Sequence, residues 1–245
     1  EESVRNPKKY FDNNTQNAKI LFDTCCKYNL KNIIFSSTAA VYGNPINSDP
    51  IKETSPLKPL NPYGESKIKT EAYLQNNLKL NYTILRYFNV AGADPKMRSG
   101  LISKESTHLI KIMSEAAVGK RDKVIIFGDD YATPDGTAIR DYIHVSDLAD
   151  IHVKTLELMN RRKKSEIFNC GYGKGYSVKE VLDKANEICN NKIKIKIGTK
   201  RAGDAEMLVS DNSKLKQMID WTPKYNKLDF IIQSSIDWEL KLQNE

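Results

Sequence analysis

Short apolar runs alternate along the chain with amphipathic stretches. Residues 32–37 (NIIFSS), 82–88 (YTILRYF), 123–127 (KVIIF) and 166–169 (EIFN) are short and rich in β-branched and aromatic side chains, and so predict buried strands. Between them, 3.6-residue periodicity predicts helices near 9–29, 62–79, 105–118 and 146–160. Strand-then-helix alternation of this kind calls for an α/β fold, a doubly wound parallel sheet with helices on both faces. All four strands belong to that sheet in this reading. The C-terminal part differs. KIKIKIG at 192–198 alternates strictly, as a half-exposed strand does, and LDFIIQSSIDWELKL at 228–242 predicts a terminal amphipathic helix. A smaller α/β lobe at the C-terminal end follows. Internal repeats and low-complexity tracts are absent from the sequence.

A chain of 245 residues, 40% hydrophobic and 28% charged, can bury a full core. No apolar run approaches the roughly 18 residues of a membrane span, and the opening residues lack a signal-peptide pattern. The net charge of +7 raises nucleic acid as a partner. The lysines, however, are scattered over helix faces without the aromatic interleaving that stacks on bases. The dense cluster Arg161–Lys164 falls between a helix and a strand and reads as a solvated loop. Neither nucleic acid nor membrane is expected, and the charge suits a phosphorylated small molecule. Cys25, Cys26, Cys170 and Cys189 show no C-x-x-C spacing and read as buried thiols in a reducing cytoplasm. His108, His144 and His152 form no ligand motif, so no metal is expected.

Ligands of open parallel sheets bind beyond the carboxyl ends of the strands. That rule selects Ser36-Ser37-Thr38, Phe88-Asn89 and Phe127-Gly128. The glycine cluster Gly171-Tyr172-Gly173-Lys174-Gly175 has the wrong spacing for a dinucleotide loop. It reads as a flexible turn followed by a Ser cap. Asn61-Pro62 is a helix start, with Asn as N-cap and Pro in the first turn. Tyr63 and Lys67 then share one face at i and i+4. The Lys67 ammonium is expected to favour the Tyr63 phenolate. Lowering a phenol pKa by about 3 units takes roughly 4 kcal/mol of differential stabilisation. A strand-tip hydroxyl followed by Tyr and Lys on the next long helix makes a three-part site for proton transfer at a sugar hydroxyl.

FSSTAAVYG (35–43), NPYGESK (61–67) and LRYFNVAGA (85–93) together resemble the extended short-chain dehydrogenase/reductases. IFGDDYATPDGTAIRDYIHVSDLADIHV (126–153) and KRAGDAEMLVSDNSKLKQMIDWTPKY (200–225) resemble that family's UDP-hexose 4-epimerase branch. The resemblance covers essentially the whole chain. It implies a Rossmann-like fold and places EESVRNPKKYFDNN well inside the NAD-binding domain, with the glycine loop before Glu1. As a stretch of 245 residues the chain is then expected to lack most of the cofactor's adenosine site and to be inactive alone. Residues 1–93, joined by 141–170, would belong to the NAD-binding domain and 94–245 mainly to a substrate domain.

The same resemblance implies roles for single residues. Thr38, where the family more often has Ser, would hydrogen-bond the reacting sugar oxygen. Tyr63 would be the base and Lys67 its partner, also holding the nicotinamide ribose. Asn13, Ser36 and Phe88 would line the cofactor, NAD. Asn89, His108, Leu109 and Phe127 would surround the uridine nucleotide, Arg140 and Arg201 its diphosphate, and Asp204 its ribose. Leu208 would set the room for an N-acetyl group. The implied activity is C4 epimerisation between UDP-galactose and UDP-glucose through a 4-keto sugar, in a cytoplasmic homodimer packed through the 9–29 and 62–79 helices. Dehydration is disfavoured, because Thr38 is followed by Ala39-Ala40 with no carboxylate. A 4-epimerase of another UDP-sugar, or a non-catalytic NAD-binding sensor of the same fold, are the alternatives.

Overall fold

The computed structural model describes residues 2–76, 80–103 and 105–244. In chain order it comprises α1 (Glu2–Arg5), α2 (Pro7–Tyr10), a π-helical turn (Phe11–Gln16), α3 (Asn17–Lys27), β1 (Asn32–Thr38), a 3₁₀ turn (Ala39–Val41), α4 (Pro62–Gln75), β2 (Asn81–Tyr87), β3 (Asn89–Ala91) and α5 (Leu109–Ala117). Then follow β4 (Val124–Phe127), β5 (Ile139–His144), α6 (Val145–Arg162), β6 (Glu166–Cys170), β7 (Gly175–Ser177), α7 (Val178–Ile188), β8 (Ile195–Gly198), β9 (Met207–Leu208), α8 (Ser213–Met218) and α9 (Leu228–Asn244). The expected helix over 62–79 thus ends at Gln75, and residues 77–79 lie outside the described residues.

The main sheet runs β1-β2-β6, all parallel, with Asn32 opposite Asn81 and Thr83 opposite Glu166. Its strands are apolar on both faces, as helix-covered parallel strands must be. Ile33, Phe35, Ile84 and Ile167 pack with Phe22 of α3 and Leu74 of α4. The alternate positions Ile34, Leu85 and Phe168 pack with Leu148 and Ile151 of α6. This period-2 sorting decides where the polar residues at the strand ends point. Ser37 and Arg86 fall on the α4 face, Ser36 and Tyr87 on the α6 face.

The strand over 123–127 is real but lies elsewhere than expected: β4 pairs in parallel with β8 in a sheet of their own. Its inner residues Val124 and Ile126 join a second core with α5, α7 and α9. A buried apolar run does not say which sheet it joins, and here the partner is 71 residues away. The 192–198 pattern is a strand only over Ile195–Gly198, with Ile193 buried and Ile195 and Ile197 exposed. Between the two lobes β5 is the organiser, pairing with β3, β7 and β9. The sequence IRDYIH carries Arg and Asp at its front and hides that strand.

The 9–29 periodicity corresponds to a run that begins at Glu2 and is interrupted by the π turn, which α4 holds in place. Thr15 Oγ1 donates to Ser66 O at 3.0 Å, and Thr70 Oγ1 to Asn14 O at 2.6 Å. The glycine cluster is not a flexible turn. Buried Asp141 accepts from the Tyr172, Gly173 and Ser210 amides and the Ser210 hydroxyl. Ser177 does cap α7, in a reciprocal capping box with Glu180. Among the cysteines only Cys170 is buried, while Cys25, Cys26 and Cys189 are half-buried. Among the described residues no helix is long and apolar enough to cross a membrane.

Candidate active site

Two side chains meet where β1 ends and α4 begins. Asn61 is extended at φ −151° and its side chain accepts from Gly64 N at 3.0 Å, which starts α4 with Pro62 in the first turn. Gly64 lets α4 approach the strand tip: a Cβ there would lie 2.5 Å from Ala40 O. Tyr63 and Lys67 therefore face the β1 tip, both half-buried.

Their electrostatics differ from the expected couple. Burial raises the Tyr63 phenol above its ordinary value, and a side-chain hydrogen bond with Thr38 opposes that rise. The Lys67 ammonium donates to Ser36 O at 2.9 Å and lies 4.9 Å from the Phe35 ring centroid. Burial also lowers Lys67, against the pull of Glu71 one turn later. The free protein thus holds Tyr63 as a neutral phenol.

Behind the tip, on the α4 face, is a buried ion pair the sequence reading missed. Glu71 Oε2 accepts from Arg86 NH2 at 2.6 Å, with both side chains almost wholly enclosed. Glu71 also accepts from Ser37 Oγ at 2.5 Å, beside Thr38. Arg86 donates further to Tyr42 Oη at 2.9 Å, and Tyr42 donates to Asn169 Oδ1 at 2.6 Å. Burial would lower the Arg86 guanidinium, yet the Glu71 hydrogen bonds hold it above its ordinary value. The signal was available: Arg86 sits amid ILRYF, and a charge in a buried strand needs a partner. On the α6 face, Tyr87 Oη lies 2.6 Å from both Ser36 Oγ and His152 Nε2. Burial pushes the Tyr87 phenol up to about 12.

The other expected residues fall in three places. Phe88 and Leu208 meet in one apolar cluster with Val41 and Ile51, Phe88 buried and Leu208 half-buried. Asn89, His108 and Leu109 line one end of a cavity of about 740 Å³, which continues beneath β3 to Trp238 on α9. His108 ends the preceding loop in extended conformation, so α5 starts at Leu109, later than the pattern predicts. Phe127, Arg140, Arg201 and Asp204 cluster around the 199–206 loop. The Arg201 guanidinium stacks 3.5 Å from the Phe127 centroid, and its Nε is buried without a hydrogen-bond partner. Arg140 donates to Ile139 O, Glu206 O and Ala205 O at 2.9, 3.3 and 2.7 Å. Asp204 is exposed. Asn13 stands apart: its side chain is exposed on the π turn and reaches only Asn14.

Chemically, the β1 tip offers a phenol to move a proton, a hydroxyl to orient it and an ammonium. The 199–206 side offers an aromatic face and two guanidinium forks, which suit a nucleoside diphosphate.

Comparison with known proteins agrees with that chemistry. The chain is 46% identical to the UDP-glucose 4-epimerase of Azospirillum brasilense over 245 residues, 99% of this chain and 70% of that protein. It superposes with TM-score 0.93 and 37% identity on the UDP-glucose 4-epimerase of Bifidobacterium longum in complex with NAD⁺ and UDP, covering 99% of this chain and 73% of that one. The UDP-Glc/GlcNAc 4-epimerase of Campylobacter jejuni is 45% identical, with TM-score 0.80 over 98% of this chain and 74% of that one. Residues 1–171 match the family described as NAD dependent epimerase/dehydratase. With that match across more than half its length, and relatives this similar, the chain belongs to the NAD dependent epimerase/dehydratase family.

Proposed function

We propose that this protein interconverts UDP-galactose and UDP-glucose by inverting C4, with NAD as cofactor. One observation carries the reading: Tyr63 and Lys67, one turn apart at the start of α4, stand at the β1 tip, where Thr38 acts on the Tyr63 phenol and the Lys67 ammonium donates to Ser36 O at 2.9 Å. The names of the relatives support it. The donor set at the tip fits the cofactor, with an exposed Ser36 hydroxyl and a cation held at the strand's end. When bound, NAD would supply a reversible hydride acceptor for C4 of the sugar.

The chain's own residues do the rest. Tyr63 Oη takes the proton of the 4-hydroxyl and gives it back, while the Thr38 hydroxyl hydrogen-bonds the same oxygen. Lys67 holds the nicotinamide ribose, and Ser36 and Phe88 line the cofactor; for Asn13, exposed on the π turn, that role rests on the resemblance alone. Asn89, His108, Leu109 and Phe127 enclose the uridine, and Asp204 holds its ribose. Arg140 and Arg201 pair with the diphosphate, the pivot about which the 4-keto sugar turns over. Leu208, half-buried beside Phe88, leaves intermediate room, so UDP-N-acetylhexosamines are candidate second substrates.

In this reading residues 1–93 with 141–170 serve the cofactor, and 94–245 mainly the substrate. A cytoplasmic homodimer belongs to it too. The test is proton NMR of UDP-galactose with the full-length protein and catalytic NAD⁺. Growth of the UDP-glucose anomeric signal to a fixed ratio, without NADH accumulating, is expected. Conversion of a UDP-pentose or UDP-uronate alone would replace the substrate, and nucleotide binding without turnover would replace the activity.

A further inference from the structure

Asn61 has a second partner besides the helix it caps. While Oδ1 accepts from Gly64 N at 3.0 Å, Nδ2 donates to Gly203 O at 3.4 Å. Gly203 has φ +83°, and a Cβ there would lie 3.2 Å from Leu60 O and 3.6 Å from Asn61 Cβ. The 199–206 loop therefore comes down onto the residues that start α4, and glycine is what permits the approach. Elsewhere the loop is tied by Lys200 Nζ to Asp130 O at 2.9 Å, by Arg140 to Ala205 O at 2.7 Å and by Glu206 N to Asn44 Oδ1 at 3.2 Å. Each of those ties goes to the turns around β4 and β5 or to the segment after β1. The Asn61 bond goes to the helix that carries Tyr63 and Lys67.

A carboxamide is suited to both tasks. Its oxygen caps a helix and its nitrogen donates outward, whereas Asp caps without donating and Ser caps without the reach. Gly203 lies between Arg201 and Asp204 in sequence. We propose that Asn61 is a positioning residue, which latches the nucleotide-holding loop to the N-terminus of the catalytic helix and so fixes the diphosphate pivot relative to Tyr63. The inference rests on the function proposed above for the nucleotide half of its claim, and on geometry alone for the latch.

The test compares Asn61→Asp and Asn61→Ser with the wild type in the full-length protein, with Asn61→Ala as control. Asp and Ser keep the cap, so their thermal midpoints hold within about 4 °C, whereas Ala loses cap and latch together. Hydrogen–deuterium exchange of the 199–206 peptide, without ligand, is expected to quicken in both Asp and Ser variants while the first turn of α4 keeps its protection. UDP affinity by calorimetry is expected to fall about 3- to 10-fold, the net range of one hydrogen bond, and KM for UDP-galactose to rise by the same factor. Wild-type exchange of 199–206 in both variants would overturn the latch. Faster exchange with unchanged UDP affinity would overturn its part in nucleotide binding. If the wild type itself binds no UDP, the functional reading falls, and the exchange comparison still decides the latch.

Discussion

The two sides of the cleft are built differently. The proton-transfer side stands on regular elements: a strand tip, a helix start and a buried ion pair behind them. The nucleotide side sets residues of β4 and β5 against the 199–206 loop, which is held mainly by side chains that hydrogen-bond backbone carbonyls. One side has its geometry set by packing, the other by polar ties that water can replace. The first is rigid by construction, and the second can yield around a ligand that must enter, turn and leave.

Substitutions that fall on one side only test this division. The largest effect is expected at Tyr63: Tyr63→Phe should cut turnover about 10²- to 10⁴-fold, the usual share of a positioned acid–base group. UDP affinity should stay at the wild-type value, which calorimetry checks. Next comes the support of that side. Glu71→Gln leaves the Arg86 guanidinium buried without its anion and should cost about 3–5 kcal/mol in urea unfolding. A loss below about 1 kcal/mol would show the pair to be hydrated and the rigidity misplaced. On the nucleotide side, Arg140→Lys should raise KM about 10-fold and quicken hydrogen–deuterium exchange of the 199–206 loop, since an ammonium lacks the planar fork that reaches Ala205 O and Glu206 O. Smallest is Leu208→Ala. It should raise turnover of UDP-N-acetylgalactosamine relative to UDP-galactose by about 10-fold, the low end of what pocket methylenes discriminate.

The same division explains what the sequence disclosed. Asn61, Pro62, Tyr63 and Lys67 are neighbours in the chain, so cap, first turn and i, i+4 face could be read directly. The main sheet was legible because its strands are apolar on both faces and separated by periodic helices. Arg86 amid ILRYF signals a buried charge in need of a partner, but a pairing across 15 residues, between a helix and a strand, leaves no local pattern that names Glu71. The strand β5 was hidden because buried Asp141 and half-buried Arg140 serve turns rather than core. The placing of β4 beside β8, and the seat of Gly203 on Asn61, depend on contacts 71 and 142 residues apart. In the ligand-free protein the Lys67 ammonium is engaged elsewhere. Sharing a helix face does not aim an ammonium, and the Ser36 carbonyl accepts it at 2.9 Å.

That last point is the one to measure. Carbon-13 NMR of ring-labelled tyrosine, with Tyr63→Phe used to assign the signal, follows the Tyr63 phenol through alkaline pH in the ligand-free protein. The predicted midpoint lies above 10, because burial disfavours the phenolate. Thr38→Ala should move it higher, since the Thr38 hydrogen bond opposes the rise, and Lys67→Met should leave it in place. The neutral phenol would then persist at physiological pH until the loaded site lowers it, and turnover would climb as pH rises. A midpoint at or below 10, moved upward by Lys67→Met, would contradict the account: the proton-transfer side would then be charged and coupled before any ligand arrives.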